Sequence, residues 1–156
     1  MLISAFSSIS RDFNFKLSIV GGGDLVSIIP TNDDRIQYYK RGEREEVVKL
    51  YQKSDILVVP SRWKPYCLVV LEALSCGFGV VVTEKLRGSF DEFESLGVLM
   101  YTLLDIESIR KAMKEMALQI KTIRSNYASV RKIILQKHEI SKVTGLLLDN
   151  LGEKYF

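Results

Sequence analysis

Two segments of the 156-residue chain carry residues whose types and spacing suit ligand binding. The first is IVGGGD at residues 19–24, a β-branched run that leads into three glycines. Gly21 and Gly23 allow a tight turn there, in which backbone N–H groups can approach a phosphate at a helix N-terminus. Val26 stands where the dinucleotide fingerprint G-x-G-x-x-G requires its third glycine, and Asp24 adds a negative charge. The segment therefore indicates either a plain turn or a ligand contact.

The second segment places Glu72 inside an otherwise apolar helical run, LVVLEALSC at residues 68–76. Burial of a carboxylate among apolar side chains is costly unless hydrogen-bond donors satisfy it. Parallel α/β sheets bind ligands beside the carboxyl ends of their strands, where a vicinal diol would satisfy both oxygens of such an acid. The structural alternative is that Glu72 forms an ion pair on the surface of its helix.

Short apolar runs rich in β-branched or aromatic residues predict strands that are buried on both faces. The predicted strands are 16–20, 36–39, 56–59, 80–82 and 98–101. Helical patterns at 42–53 and 67–76, with a weaker one at 25–29, separate them. Strands that alternate with helices of this length predict an α/β, Rossmann-like fold, in which a parallel sheet of about five strands is flanked by helices.

The pattern changes after Asp105, where apolar residues recur at alternating steps of three and four as far as residue 134. This spacing predicts long C-terminal helices, as one helix or as two broken near Ser125, followed by a last helix with apolar residues from 140 to 155. We expect one domain over 1–156, with an α/β core at 1–104 and helices at 105–156. The seam over 106–134 is open to two interpretations, a coiled-coil surface or, as favoured here, helices that lie across the sheet.

Composition excludes several classes of protein. Twenty-two basic and 19 acidic residues give a net charge of +3, which is too balanced to indicate nucleic-acid binding, and basic helix faces suggest at most peripheral membrane contact. Cys67, Cys76 and the single histidine, His138, form neither a disulfide framework nor a metal site, so no metal or cofactor is expected. The N-terminus does not resemble a signal peptide, and Glu72 interrupts the longest apolar run. We expect a cytoplasmic protein.

The segment DILVVPSRWKPYCLVVLEALSCGFGVVV at residues 55–82 resembles the donor-binding signature of retaining, family 4 (group 1) glycosyltransferases with the two-domain GT-B fold. The shared features are a strand that ends in Pro-Ser, the second glutamate of the family's Glu-x7-Glu motif at Glu72, and a closing Val-Val. The flanking segments LISAFSSISRDFNFKLSIVGGG, VVKLYQKSDILVVPS and GVLMYTLLDIESIRKAMKEM are similar as well, as is KHEISKVTGLLLDNLGEKY. The resemblance covers nearly the whole chain and is to the C-terminal domain of the GT-B fold without its first strand.

The resemblance implies a site for a nucleotide sugar linked to UDP, GDP or ADP, with no metal. Glu72 would accept hydrogen bonds from the ribose hydroxyls. The backbone around Tyr66, Cys67 and Leu68 would face the donor phosphates, because a helix N-terminus with free N–H groups suits an anion.

The sequence also departs from the family pattern. Lys64 stands at the position of the first motif glutamate, which in the family lies beside the donor sugar. The resemblance makes Lys64 the candidate catalytic residue, with a charge opposite to that of the family's glutamate. Gly79 replaces the usual proline before Val-Val. Gly88, followed by Asp91 or Glu92, is the nearest match to the family's glycine-rich loop.

The resemblance further implies that the central strand and the acceptor domain lie outside this sequence. We expect the strands at 17–20 and 56–59 to pair directly, in the order 3-2-4-5 with an additional edge strand. We also expect a homo-oligomer, and a separate acceptor-domain protein without which the chain does not catalyse transfer. The alternatives are a degenerate nucleotide-binding module and a structural module that assembles through the seam.

Overall fold

Parallel strands and helices alternate through residues 1–40, 44–62 and 67–137, the parts of the chain that the computed structural model describes. The strands are β1 (Leu17–Gly21), β2 (Ile36–Lys40), β3 (Ile56–Val59), β4 (Gly79–Thr83) and β5 (Leu99–Thr102). The helices are α1 (Leu2–Ser7), α2 (Arg44–Lys53), α3 (Leu68–Ser75), α4 (Asp91–Glu94), α5 (Ile106–Leu118), α6 (Ile120–Ser125) and α7 (Tyr127–Lys137). The predicted α/β class with parallel strands is confirmed.

The strands form two sheets rather than one. β1 pairs with β2 from Leu17 opposite Ile36 onwards, and β3, β4 and β5 form a separate parallel sheet in that order. The prediction that β1 pairs directly with β3 is therefore wrong. Side chains join the two sheets instead: Leu17 of β1 and Val58 of β3 pack against one cluster that contains Met113 of α5. The hydrophobic effect that holds both sheets against α5 is non-directional, so the two sheets need no hydrogen bonds between their strands.

Among the strands in the described parts of the chain, only β4 is buried along its whole length. It lies between β3 and β5, whereas β1 and β3 each have one neighbouring strand. The side chains of β1 alternate between half-buried and exposed, and those of β3 are all half-buried. The prediction that each strand is buried on both faces thus fails for β1, β2 and β3, each of which lies at the edge of its sheet and keeps contact with water.

The apolar seam belongs to the core of the chain. Asp105 begins α5 by accepting a hydrogen bond from the Ser108 N–H at 2.8 Å. Of the two alternatives left open, a single helix is wrong, because the helices are broken at Asn126 and also at Gln119. The seam residues that are almost fully buried are Ile109, Met113, Met116, Ile123, Val130 and Ile134.

These side chains pack against the strands and other helices, so the coiled-coil interpretation is wrong for them. Among the helices described here, none has the length and apolar character to cross a bilayer. The helix predicted from residue 140 lies outside the described residues.

An ion-pair cluster lies before the amino end of β2 and yields a prediction about acid stability. The Arg35 guanidinium contacts Asp33 at 2.8 Å and donates to the Ile9 carbonyl at 2.9 Å. Its hydrogen bond to Asp33 is the main cause that lowers the pKa of that carboxyl from 3.8 to about 2. A carboxyl with a lowered pKa stabilises the fold above its unfolded pKa, and this contribution is lost as the pH falls towards the folded value.

We therefore expect Asp33→Asn to lower the melting temperature at pH 7. Below pH 4 the melting temperature of the variant should decline less steeply than that of the wild type, because the titrating group is gone. Thermal unfolding followed by circular dichroism from pH 7 to pH 2 measures both effects. Parallel curves for the two proteins would show that Asp33 does not contribute.

Candidate functional site

A hydrogen bond between side chain and backbone joins the carboxyl ends of β3 and β4. The hydroxyl of buried Thr83, the last residue of β4, donates to the carbonyl of Ser61 at 2.6 Å. Ser61 belongs to the Pro-Ser pair that follows β3. This contact fixes the point at which the chain leaves β3 towards α3, so the segment with the predicted site residues begins from a defined position.

Helix α3 presents its N-terminus and one carboxylate. Val70, Leu71, Ala73 and Leu74 are buried and hold the helix against the core. Cys67 is the N-cap residue, and its side chain makes no capping hydrogen bond. Cys67 as a whole is 3% exposed, whereas Leu68 is 47% exposed. The first turn of α3 is therefore accessible to an anion at Leu68 rather than at Cys67.

Glu72 is half-buried near the middle of α3, rather than fully buried. Tyr51 of α2 lies near enough for the charge of Glu72 to act on its hydroxyl. Burial, followed by the negative charge of Glu72, raises the pKa of Tyr51 far above its usual range. The hydroxyl therefore keeps its proton and remains a donor. Sequence reasoning missed Tyr51 as a site residue, although the tyrosine lies within one of the flanking segments that resemble the family.

The glycine turn at the end of β1 leaves open space around its backbone. Gly21 and Gly23 have φ values of 151° and 129°, and residues other than glycine rarely adopt such positive φ values. An added β-carbon at either position would meet no atom within 4 Å. The residues that follow form a 3₁₀ helix, Asp24–Ile28, in place of the weak α-helix predicted there. The turn is thus open, but the structure puts a short 3₁₀ helix where the phosphate-binding pattern has an α-helix.

The loop after β4 is closed by its own hydrogen bonds. The Gly88 N–H donates to Asp91 Oδ1 at 2.9 Å, and the Tyr101 hydroxyl donates to the same oxygen at 2.7 Å. These two bonds, that of Tyr101 first, lower the pKa of Asp91 below its usual value. Arg87 lies over the Tyr101 ring at 4.2 Å and pairs with Glu94 at 3.2 Å. Gly88 therefore directs its N–H at Asp91 instead of offering it to an anion.

The predicted site residues thus fall into separate groups. Cys67, Leu68 and Glu72 lie together on α3. Gly21 and Gly23 lie at the end of β1, in the other sheet, and Gly88 lies in the closed loop after β4. Lys64 and Tyr66 lie outside the described residues.

Known proteins with similar sequences are glycosyltransferases. The chain is 36% identical over 93 residues to the uncharacterized glycosyltransferase MJ1607 of Methanocaldococcus jannaschii, an alignment that covers 53% of this chain and 23% of the relative. It is 29% identical over 133 residues to the uncharacterized glycosyltransferase MJ1178 of the same organism, covering 74% of this chain and 37% of the relative. The chain therefore spans less than two fifths of the length of these curated relatives.

The fold is shared with a solved glycosyltransferase. The crystal structure of WaaG, a glycosyltransferase involved in lipopolysaccharide biosynthesis, matches 97% of this chain and 40% of its own with a TM-score of 0.68. The sequence identity is 17%, so this likeness concerns the GT-B-type fold alone. The model of the family "Glycosyl transferases group 1" matches residues 1–119, which include the glycine turn, α3 and the loop after β4. The chain therefore belongs to the glycosyl transferases of group 1.

Proposed function

We propose that this chain is the donor-binding part of a retaining glycosyltransferase and that it holds a nucleotide diphosphate sugar at α3. The observation that carries the proposal is the Glu72 carboxylate, which is half-buried and on the same helix as an N-terminus without a side-chain cap. A carboxylate accepts hydrogen bonds from two neighbouring hydroxyls, and a helix N-terminus attracts phosphate.

The spacing along α3 suits a ribose that is joined to a diphosphate. Five residues separate Cys67 from Glu72, which corresponds to roughly 7 Å along a helix axis. In this arrangement the ribose hydroxyls meet Glu72, and the phosphates lie towards the N–H groups of the first turn. We further propose that Lys64, which precedes this helix in the sequence, contributes a positive charge to the phosphates.

Sugar transfer itself belongs, in this proposal, to a larger assembly. Retaining transfer in a GT-B protein takes place in a cleft between two domains, and this chain corresponds to less than two fifths of its curated relatives. The acceptor part would come from a longer form of the protein or from a separate polypeptide.

A second candidate function is a module that binds nucleotides without turnover. Two observations favour it over an active donor site. The Gly88 N–H is engaged by Asp91, and a lysine occupies the position of the first motif glutamate. Both candidates share the same nucleotide site, and they differ in whether an added acceptor domain produces transfer.

Calorimetric titration with UDP, GDP and ADP tests the proposed site. We expect at least one of the three to bind with a dissociation constant of roughly 0.1 to 1 mM, which is about −5.5 to −4 kcal/mol. Inorganic pyrophosphate, which lacks the ribose, should bind more weakly. Absence of binding by all three nucleotides at several millimolar, or equal binding of pyrophosphate, would show that α3 holds no donor site.

A further inference from the structure

We propose that the face of the chain around Phe13 and Leu118 docks on an anionic phospholipid bilayer, and that a neighbouring cavity beside Arg11, Lys16 and Arg35 receives the phosphate of a lipid headgroup. This inference is independent of the proposed nucleotide site, because none of these residues belongs to α3 or to the loops that follow β3 and β4.

The outer side of α5 carries lysines and one exposed leucine. The buried side of this helix consists of Ile109, Ala112, Met113 and Met116. Leu118 lies on the opposite side, and at 82% exposure it is the most exposed large apolar residue in the described part of the chain. It follows Lys111 by seven residues and Lys114 by four, so the three side chains share one side of the helix. Lysines can contact lipid headgroups while an apolar side chain between them enters the bilayer.

Phe13 extends this surface beyond α5. The Lys114 ammonium lies 4.6 Å from the centre of the Phe13 ring. Phe13 is 40% exposed, and its ring packs against that of Phe15 with the centroids 5.6 Å apart. A phenylalanine at such a position adds apolar surface that a bilayer can bury. The resulting continuous surface, called the outer patch below, consists of Phe13, Lys111, Lys114 and Leu118.

A polar cavity of about 230 Å³ adjoins the outer patch through Phe15. Its walls consist of Arg11, Asn14, Phe15, Lys16, Asp34 and Arg35. Arg11 is paired with Asp34 at 2.7 Å, and Arg35 is paired with Asp33 at 2.8 Å. Exposed Lys16 adds a third positive charge against these two negative ones. Guanidinium and ammonium groups donate charge-assisted hydrogen bonds to phosphate oxygens, so the cavity suits the phosphate of a lipid headgroup.

The balance of charge and apolar surface favours a bilayer over a nucleic acid. The segments that build this face, 10–16, 33–35 and 106–121, contain seven basic and five acidic residues, a net charge of +2. This excess is too small to hold a polyanion by electrostatics alone. A bilayer also buries Leu118 and Phe13, and moderate positive charge combined with exposed apolar side chains is typical of proteins that bind at the lipid interface.

Sedimentation of the full chain with lipid vesicles tests this docking surface. Vesicles of phosphatidylcholine alone are compared with vesicles that also contain phosphatidylglycerol as the anionic lipid, at low and at high salt. We expect the wild type to bind the anionic vesicles on the order of tenfold more tightly than the uncharged ones at low salt. High salt should release the protein, because it screens exposed charges.

Two variants of the outer patch are compared with two matched controls. Lys114→Gln removes a charge and Leu118→Ser removes the apolar side chain, and each should weaken binding to anionic vesicles about fivefold. Lys85→Gln and Leu25→Ser are the controls, since Lys85 is exposed, Leu25 is 71% exposed, and both lie outside the outer patch. The controls should bind as the wild type does, and thermal unfolding checks that all four variants fold.

Several results would overturn the proposal. One is failure of the wild type to sediment with anionic vesicles, or equal binding to the two kinds of vesicle, a result that holds even where a variant does not fold. Another is equal weakening by the patch variants and the controls. Binding of a short DNA duplex that Leu118→Ser leaves unchanged, without binding to vesicles, would show that this face recognises phosphate on a nucleic acid instead. Lys16→Gln tests the cavity, and wild-type binding of this variant to anionic vesicles would exclude a role for the cavity.

Discussion

Glu72→Ala is expected to abolish measurable nucleotide binding while the fold is retained. Two hydrogen bonds from ribose hydroxyls to a charged acceptor contribute roughly 1.5 to 3 kcal/mol each. Loss of about 3 kcal/mol weakens binding on the order of 100-fold, which moves a millimolar-range site beyond detection. Glu72→Gln keeps one acceptor oxygen, so its affinity for nucleotides should lie between those of the wild type and Glu72→Ala. Calorimetry measures the affinities, and thermal unfolding checks that the variants fold.

Glu115→Ala is the matched control for this prediction. Glu115 is an exposed carboxylate on α5, 3.7 Å from Lys111, and its removal changes the net charge by the same amount. The control should bind nucleotides as the wild type does. Wild-type affinity in Glu72→Ala would contradict the assignment of α3, and equal losses in both variants would point to a nonspecific charge effect.

Gly79→Ala is expected to destabilise the chain by about 1 to 3 kcal/mol, because it overpacks the core. A β-carbon added at Gly79 would lie 2.6 Å from Ile123 Cδ1 and 2.6 Å from Met116 Sδ. Both side chains are almost fully buried. For a chain of this length the melting temperature should fall by roughly 3 to 10 °C. Thermal and urea unfolding measure the loss.

Restoring the proline that the family pattern has at this position should lower the stability further than alanine does. The Gly79 N–H donates to the Asp55 carbonyl at 3.0 Å, and proline has no N–H to make this bond. Gly79→Pro should therefore lose about a further 1 kcal/mol beyond the steric cost. Equal stability of the alanine and proline variants would contradict a role for this hydrogen bond.

Two further variants isolate the steric cause. Gly22→Ala is the control, since a β-carbon there meets no atom within 4 Å, and it should change stability by no more than about 0.5 kcal/mol. Ile123→Val removes the atom that lies closest to Gly79 in α6 and should partly rescue Gly79→Ala. Strictly additive effects of the Gly79 and Ile123 substitutions would show that the two residues do not compete for space.

The parts of the fold that depend on local sequence could be predicted. β3 was predicted over 56–59 and is observed at Ile56–Val59, because a short apolar, β-branched run between Asp55 and Pro60 is a local signal. The pairing of β1 could not be predicted in the same way. The strand with which β1 pairs depends on the elements that pack beside it. Here α1 and α5 share an apolar cluster with β1, and the composition of residues 17–21 does not predict that packing.

The candidate site shows the same division. Glu72 was identified because a single acid in an apolar helix is visible in the sequence. Tyr51, whose hydroxyl responds to the charge of Glu72, lies 21 residues earlier in another helix, and this proximity was not visible in the sequence. Gly79 was noted as a departure from the family, but the reason that only glycine fits there was not visible. Met116 and Ile123 fill the space beside Gly79, and both come from helices much later in the sequence. Contacts of this kind follow from tertiary packing rather than from spacing.

The central claim, that α3 holds the nucleotide, is tested most directly by mapping the ligand on the folded chain. Backbone amide resonances of ¹⁵N-labelled protein are recorded during titration with UDP, GDP and ADP. The account predicts that the largest shifts occur at Cys67, Leu68 and Glu72, that they saturate together, and that they vanish in Glu72→Ala. Shifts confined to α7, or to the ion-pair cluster around Asp33, would contradict it, as would spectra that do not change with any of the three nucleotides.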